Sequence, residues 1–295
     1  MEVFTPSLEN KKILQKYLQY NKSYGCELSL ANIILWSEYY GTVYTIINDS
    51  LVFCDMESGR PVSFSFPVGK GDGRDAFERI CDYFRQEESP FKMHLVSPEA
   101  FEMIEKWHPG EFKIQYDRDS ADYLYEWKTL AKLEGKKLHG KRNHINRFIE
   151  TYPDYRYETV DSSNMADCRQ IAADWAKADN REDDEDAAYE LRAIYFALDH
   201  MQELNLTGGL IRAGGRAVGF TLGEAINDEV FDVHFEKAYA DIQGAYAMIN
   251  REFVRNSLAG YRYINREEDL GIPGLRHAKT SYQPVRLIEK GIVTR

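Results

Sequence analysis

Residues able to take part in group transfer lie around a short turn in the second half of the chain. Val230–Ala238 alternates apolar and polar residues, which predicts a strand, and the apolar residues after the turn recur at helical spacing. The first N–H groups of a helix are free, and the helix dipole favours an anionic or carbonyl-bearing ligand there. The turn therefore predicts a binding corner at Gln243, Gly244 and Ala245. In a second interpretation, Gly244 only permits tight packing of the helix on the strand.

Carboxylates follow both strands that could flank this corner. Glu236 is at the end of the first strand, where it could act as a base through water or pair with a nearby cation. Strand alternation predicts that His234 faces the same side as Glu236, as a core histidine. After a second predicted strand, Glu267, Glu268 or Asp269 could accept a proton from an amine nucleophile. Alternatively, Arg266 and Glu268 form a structural ion pair.

A cationic helix face and a tyrosine come next. Arg276 and Lys279 are three residues apart on a predicted helix, so they share a face that suits a phosphate or a carboxylate. Tyr282 follows this helix. In a chain with 20 Tyr, a packed tyrosine is the simpler interpretation of any one of them.

The middle of the chain reverses the overall charge. The net charge is −11, yet residues 128–147 contain seven basic residues and one acidic residue, Glu134. The basic residues are Lys128, Lys132, Lys136, Lys137, Lys141, Arg142 and Arg147. Such a patch could bind the phosphates of tRNA or CoA with a strong salt dependence, or it could be a solvated helix face between domains.

Several classes of protein are disfavoured by the composition. The four cysteines show neither close pairing nor metal-type spacing, so we expect reduced thiols and no metal site. Residues 69–73 are glycine-rich but lack P-loop spacing, which predicts a flexible loop. An acidic connection at residues 182–186, preceded by Asp179, could line an acceptor site or be a solvated helix start. No signal peptide and no apolar run of about 20 residues are recognisable, so we expect a cytoplasmic protein.

The order of predicted elements occurs twice along the chain. Each half has an antiparallel meander of three strands, at residues 41–68 and 206–238, followed by a helix, a strand, a helix and a strand. Two helices precede each meander. A chain of 295 residues is long enough for two domains. The pattern therefore predicts a tandem repeat of one α/β fold.

This element order resembles that of the GNAT acyltransferases, whose central strands splay beside a helix N-terminus. Particular motifs also resemble the C-terminal-domain family of phosphatidylglycerol lysyltransferases. They are WKTLAKLEGKKLHGKRNHINRF (127–148), HFEKA (234–238), GAY (244–246), YINREEDLG (263–271) and GLRHAKTSYQP (274–284). The resemblance covers essentially the whole chain and implies two tandem GNAT-like domains, each a mixed, mostly antiparallel sheet flanked by helices. The implied division is 1–125, a basic helical linker at 126–153, and 154–295 with the catalytic centre.

The resemblance also implies roles for the residues described above. The strand end at NREED would face the reacting centre, and Tyr282 would protonate the leaving group. The implied catalytic set is Glu236, Asn265, Glu267, Glu268 and Tyr282. The implied donor-binding set is Gln243, Gly244, Ala245, Arg276, Lys279, Lys136, Lys137, Lys141 and Arg142.

The expected reaction is transfer of an aminoacyl group from aminoacyl-tRNA to an amine or hydroxyl of a small molecule or lipid headgroup. No tightly bound cofactor is expected. An alternative is an N-acetyltransferase that uses acyl-CoA, although Asp241 and Tyr246 depart from the usual pyrophosphate-binding loop. A third reading is a non-catalytic ligand- or RNA-binding module on the same scaffold.

Overall fold

A computed structural model of the chain describes residues 1–178 and 184–295. Asp179 and residues 182–183 of the acidic connection lie outside the described residues. The helices are α1 Lys11–Leu18, α2 Leu30–Tyr40, α3 Arg74–Gln86, α4 Pro98–Trp107, α5 Trp127–Lys132, α6 His139–Thr151, α7 Met165–Lys177, α8 Glu185–Asp199, α9 Ala245–Ser257 and α10 Pro273–Thr280. The strands are β1 Val43–Ile47, β2 Ser50–Glu57, β3 Arg60–Phe64, β4 Val68–Gly69, β5 Lys92–Val96, β6 Lys113–Tyr116, β7 Asp122–Glu126, β8 Arg156–Thr159, β9 Thr207–Ala213, β10 Arg216–Ala225, β11 Val230–Ala238, β12 Tyr263–Asn265, β13 Arg286–Ile288 and β14 Gly291–Thr294.

The chain forms two compact units that are not continuous in sequence. The first consists of Met1–Asp122, Glu268–Gly271 and Leu287–Arg295, and the second of Tyr123–Glu267 and Ile272–Arg286. The predicted linker at 126–153 is therefore part of the second unit. The end of the predicted second domain, from Leu287 onward, belongs to the first unit.

The first unit is built on a sheet with the order β1-β2-β3-β5-β14-β6, and β4 pairs with β2. The predicted meander is present, because β1, β2 and β3 are antiparallel neighbours. Asn48 and Asp49 both have positive φ in the first hairpin turn, which matches the twist of the strands. One face of the sheet carries an apolar core in which Phe77 contacts Phe91 and Phe112. The glycine-rich segment predicted as a loop supplies β4 and Gly73, the residue before α3.

The second unit has the sheet order β13-β7-β12-β11-β10-β9-β8. β9, β10 and β11 form the second predicted meander, with Gly214 and Gly215 at positive φ in its first turn. β12 lies parallel to β11 after the long helix α9. The apolar face of α9 packs on this sheet, and Phe253 contacts Phe231 with ring centroids 5.7 Å apart.

Besides the short β4, two strands were not predicted, and each joins a sheet far from its neighbours in sequence. β7 pairs with β12 in the second unit, although it directly follows β6 of the first unit. β14 lies between β5 and β6 in the first unit, although it follows β13. The two units therefore exchange one strand in each direction along the chain.

A buried lysine of the first unit, Lys290, directly precedes β14. The ammonium of Lys290 lies 2.6 Å from Asp122, 2.5 Å from Glu268 and 3.2 Å from Glu27. Burial opposes its charge, but these carboxylates outweigh burial and raise the pKa of Lys290 well above its usual value. Among the described residues, no helix combines the length and apolar composition needed to cross a bilayer.

Candidate active site

The parallel strands β11 and β12 of the second unit separate soon after they begin to pair. Their ladder covers three residue pairs and ends where Asp232 meets Asn265. β12 stops there, whereas β11 continues to Ala238 along β10. This divergence leaves polar side chains of both strands without a backbone ladder between them, beside the beginning of α9.

The beginning of α9 is closely packed. Gly244 precedes the helix with φ of +86°, a left-handed conformation that favours glycine. A Cβ at this position would overlap the backbone carbonyl oxygen of His144 in α6 and lie 3.2 Å from Cβ of Phe148. Gly244 thus permits α6 to approach the first turn of α9, whereas the packing interpretation of this glycine predicted a close approach of the helix to the strand. Gln243 is exposed beside it, and Ala245 is buried.

A charged cluster occupies the divergence. Arg266, the residue after β12, donates from Nη2 to Glu236 of β11 at 2.8 Å. Asn250 of α9 donates from Nδ2 to the other oxygen of the same carboxylate at 3.0 Å. Burial opposes the Arg266 charge, but Glu236 outweighs it and raises the pKa of this guanidinium. The alternative ion pair between Arg266 and Glu268 is not formed, because Glu268 pairs with Lys290 in the first unit.

An aromatic and a second cation complete this cluster. The guanidinium of Arg266 lies 5.0 Å from the ring centroid of Tyr282, and the ammonium of Lys141 lies 4.0 Å from the same centroid. Burial raises the pKa of the Tyr282 hydroxyl, so it stays protonated. Burial, and then repulsion by Arg266, lowers the pKa of Lys141. The structure thus brings together Glu236, Tyr282 and Lys141 of the predicted set.

His234 does not share a face with Glu236, contrary to the prediction from strand alternation. The register between β10 and β11 shifts so that Leu222 faces Phe235 and Gly223 faces Val233, which leaves His234 as an extra residue. Such a bulge reverses the alternation of faces beyond it. Glu236 and His234 consequently have separate sets of partners.

The imidazole of His234 is buried among three carboxylates. Its Nδ1 lies 2.9 Å from Glu267 and 3.6 Å from Asp232, and its Nε2 lies 3.2 Å from Glu224. Burial opposes protonation, but Asp232, Glu224 and Glu267 outweigh burial and raise the pKa of His234 well above its usual value. Glu267 is therefore held by a charged histidine.

Other residues of the predicted catalytic and donor sets have structural partners. Asn265 is fully buried and accepts a hydrogen bond from the backbone N–H of Glu267 at 2.7 Å. Lys279 donates to the backbone carbonyl of Arg266 at 2.6 Å. Arg142 donates to the carbonyls of Leu133 and Gly135. Asn265 and Lys279 thus fix the backbone at Arg266 and Glu267, and Arg276 is half-buried on α10.

A basic groove lies on the surface of the second unit. A short 3₁₀ helix, Lys136–Leu138, precedes α6 and presents the exposed side chains of Lys136 and Lys137. With Thr129, Gln283 and the acidic Glu134, these residues line a groove of about 350 Å³. The hydrogen bonds from Arg142 hold the backbone of its rim.

Within the first unit, one group of side chains has donors suited to a metal ion. Cys26, Asp122 and Glu268 of the first unit place ligand atoms within 4.8 Å of one another. The ammonium of Lys290 contacts both carboxylates, so a cation already neutralises them. This arrangement is better explained as an internal ion cluster than as a metal site.

Sequence reasoning missed Asn250 and gave Arg266 the wrong partner. Asn250 lies among buried residues of α9 that include Ala247, Phe253 and Val254. A polar residue within an apolar helix face was the available signal, since a buried amide needs a partner. The pairing of Arg266 with Glu236 depends on the bulge, which had no distinctive pattern in the sequence.

The second unit has an antiparallel meander, a helix that begins after a left-handed glycine, and a parallel strand that diverges beside that helix. These features define the GNAT fold, and the same order of elements in the first unit makes the chain a tandem GNAT-like protein. The chain belongs to the family described as phosphatidylglycerol lysyltransferase, C-terminal, whose profile matches residues 19–293. Membership of this family supports acyl transfer as the class of reaction.

Solved structures support the same fold. A conserved protein of unknown function from Bacteroides thetaiotaomicron is 39% identical, with a TM-score of 0.90 over 100% of this chain and 99% of that chain. The C-terminal domain of a protein assigned as a lysylphosphatidylglycerol synthetase from Agrobacterium fabrum is 14% identical. Its TM-score is 0.66 over 97% of this chain and 91% of that one.

A more distant relative is longer than the matched region. An uncharacterised protein of Mycoplasmoides gallisepticum is 24% identical over 192 residues, which are 64% of this chain. The match spans 61% of the length of that relative.

Proposed function

We propose that this protein transfers an aminoacyl group from aminoacyl-tRNA to an amine or hydroxyl acceptor, with its reacting centre at the Glu236–Arg266 cluster. The acceptor would be a small molecule or a lipid headgroup. We favour aminoacyl-tRNA over acyl-CoA as the donor because His144 packs against Gly244.

In acyl-CoA-dependent GNAT enzymes, backbone N–H groups at the start of this helix hold the pyrophosphate of CoA. Here a carbonyl oxygen of α6 packs against that corner, and carbonyl oxygens repel phosphate oxygens. Asp241 adds negative charge to the same turn. The corner is therefore unsuited to CoA, and the donor needs its phosphates bound elsewhere.

The groove at Lys136 and Lys137 supplies an alternative place for phosphates. It belongs to the same unit as the cluster, and α6 carries Lys141 of the cluster close in sequence to the groove. The seven basic residues at 128–147 are a local excess in a chain of net charge −11. A basic surface on an acidic protein attracts a polyanion to one place.

The cluster offers groups for each proton that acyl transfer moves. The acceptor lone pair attacks the ester carbonyl carbon, and its proton passes to the Glu236 carboxylate. The bond to the ribose oxygen breaks, and the protonated hydroxyl of Tyr282 supplies a proton to that oxygen. Arg266 is placed to stabilise the negative charge that develops on the carbonyl oxygen.

The test compares binding of unfractionated aminoacyl-tRNA and of acetyl-CoA to the full chain. We expect filter binding to detect aminoacyl-tRNA, with affinity that falls steeply with salt, and calorimetry to detect little binding of acetyl-CoA. K136E/K137E should weaken tRNA binding at least about 10-fold. The matched control is K12E/K22E, which changes the charge equally at exposed lysines of the first unit and should have little effect.

Tight binding of acetyl-CoA without binding of tRNA would overturn the choice of donor. Binding of tRNA without transfer of the aminoacyl group to any acceptor in a cell extract would instead identify a binding module.

A further inference from the structure

Lys141 differs from the buried lysines in what its amine contacts. Within the described part of the chain, each buried lysine binds oxygen: Lys237 a carboxylate at 2.6 Å, Lys279 a backbone carbonyl at 2.6 Å, and Lys290 three carboxylates. Hydrogen bonds to oxygen favour the ammonium form of a lysine. Lys141 is half-buried on α6, and the described residues place no carboxylate within ion-pair distance of its Nζ.

The surroundings of the Lys141 amine are an aromatic ring and a second cation. Its Nζ lies 4.0 Å from the ring centroid of Tyr282, and the guanidinium of Arg266 lies 5.0 Å from the same centroid. The ring attracts cations, but two cations that share one ring repel each other. Glu236, the carboxylate that faces them, is already paired with Arg266.

These surroundings favour the neutral form of the amine. Among the described residues, the charged groups that act on it are Arg266, after β12, and Glu236, on β11. Burial, followed by repulsion from Arg266, lowers the pKa of Lys141, and the opposing attraction of Glu236 is smaller. At a given pH, a larger fraction of this amine is therefore neutral and nucleophilic than of an ordinary exposed lysine.

The amine of Lys141 is also close to the place proposed for the donor ester. In the proposed reaction Tyr282 protonates the leaving oxygen and Arg266 stabilises the carbonyl oxygen, so the ester would lie beside both side chains. Lys141 lies over the ring of Tyr282, and it follows by four residues Lys137 of the groove proposed for phosphates. A neutral amine held next to an activated ester reacts much faster than the same two groups free in solution.

We propose that Lys141 is a site of self-aminoacylation, at which its ε-amino group takes the aminoacyl group of the donor when no acceptor is bound. The nitrogen lone pair attacks the ester carbonyl carbon, the bond from that carbon to the ribose oxygen breaks, and an amide forms. The nitrogen loses one proton and the ribose oxygen gains one, so no further reactant is required. Tyr282 donates the second proton and recovers the first. This inference rests on the proposed function and adds a modification site to it.

The test uses the full chain without an acceptor. The chain is incubated with tRNA charged with radiolabelled amino acids, and mild alkali then removes label bound as an ester but leaves amides intact. We expect retained label, which peptide mass spectrometry locates at Lys141. Lys141→Arg keeps the charge but stays protonated, and it should reduce the retained label at least about 10-fold. The matched control is Lys132→Arg, at an exposed lysine of the same basic segment, and it should leave the label unchanged.

A second measurement does not depend on tRNA. Trace acetylation by N-hydroxysuccinimidyl acetate at several pH values reports the neutral fraction of each lysine, because only the neutral amine reacts. We expect the acetylation rate of Lys141 to level off at a lower pH in the folded chain than in the chain unfolded by urea. Tyr282→Phe keeps the ring and should leave this profile unchanged. It should slow self-aminoacylation at least about 10-fold, because the ribose oxygen then lacks its proton donor.

The outcomes separate the inference from the proposed function. Transfer to an external acceptor without label at Lys141 would overturn the inference and leave the proposed function intact. Label at Lys141 without transfer to any added acceptor would support the inference and contradict transfer to a separate acceptor. Label spread over exposed lysines and unchanged by Lys141→Arg, or equal acetylation profiles in the folded and unfolded chains, would refute the assignment of Lys141. If neither transfer nor retained label is found, both proposals fail.

Discussion

The two units pair their equivalent strands in the same register, but the side chains at the paired positions differ in polarity. In each unit, the second strand of the meander pairs with the third, and the third pairs with a parallel strand that follows a helix. The equivalent positions, second unit first, are Glu224 and Cys54, Asp232 and Phe64, Asn265 and Met93, Thr221 and Leu51, and Glu236 and Val68. Each of these five polar residues of the second unit thus has an apolar counterpart in the first.

The backbones agree even where the side chains differ. Gly73 and Gly244 precede equivalent helices with φ of +82° and +86°. Leu95 and Glu267, each two residues after the last paired residue, have φ of +53° and +55°. The fold therefore supplies the divergent strands in both units, whereas the chemistry depends on the side chains that these strands carry. In the first unit, the equivalent side chains are apolar and are part of the core.

The largest effect should come from giving the second unit the residue of the first. Glu236→Val removes the partner of a largely buried arginine, which typically costs about 3–5 kcal/mol of unfolding free energy. Aminoacyl transfer should fall about 100-fold or more. Urea unfolding and a transfer assay measure the two effects.

Val68→Thr is the control in the first unit and should leave transfer unchanged. If Glu236→Val costs less than about 1 kcal/mol, the charged cluster is not the difference between the units that we infer.

The two helix-start glycines should respond unequally to alanine. Both Gly73→Ala and Gly244→Ala place a Cβ on left-handed backbone, at a cost of roughly 1–2 kcal/mol each. In Gly244→Ala the new Cβ also overlaps the backbone of α6, whereas in Gly73→Ala its nearest neighbour is Cβ of Pro67 at 3.2 Å. We expect Gly244→Ala to lower the free energy of unfolding by about 2 kcal/mol more. Equal losses in urea unfolding would show that α6 yields easily at this contact.

A smaller difference between the units is expected in how one histidine of each contributes to stability as the pH changes. The pKa of His234 is raised, so its contribution to stability is complete below the unfolded pKa of about 6.5 and is lost as pH rises through the folded pKa. Burial lowers the pKa of His94 in the first unit against the opposing effect of Asp55. Its stability contribution is therefore complete above about pH 6.5 and is lost as pH falls through the folded pKa.

The measurement is the unfolding free energy of H234Q and H94Q relative to the natural chain, at several values between about pH 5 and 9. The deficit of H234Q should shrink as pH rises. The unfolding free energy of H94Q should exceed that of the natural chain most at low pH. Parallel profiles for the two variants would refute this contrast.

Local patterns in the sequence were sufficient for much of the fold. The antiparallel meanders at residues 41–68 and 206–238 were predicted correctly, and their first turns carry Asn48 and Asp49, and Gly214 and Gly215, at the positive φ that suits such turns. The motifs correctly predicted the family, and the repeated element order correctly predicted the tandem fold. β7 and β14 were missed because their pairing is decided by partners distant in sequence.

The candidate site was harder to predict for a related reason. Glu236 was a candidate by residue type, Lys141 by the basic run and Tyr282 by the family resemblance. Their neighbours, however, depend on tertiary packing. One extra residue at His234 changed which side chains Glu236 meets, and alternation in the sequence gave no sign of it. Glu268 pairs with Lys290, and residues 268–271 belong to the first unit, which the local sequence does not indicate.

The exchange of β7 and β14 also has a consequence for biosynthesis. The first unit contains residues 1–122, but its sheet has a gap between β5 and β6 until β14 arrives. During translation, the facing edges of β5 and β6 would stay unpaired while more than half of the polypeptide is made. Unpaired strand edges can pair with other chains and cause aggregation. Until residue 294 has left the ribosome, the amino-terminal half of this protein should therefore avoid aggregation only if chaperones bind it or if it collapses slowly.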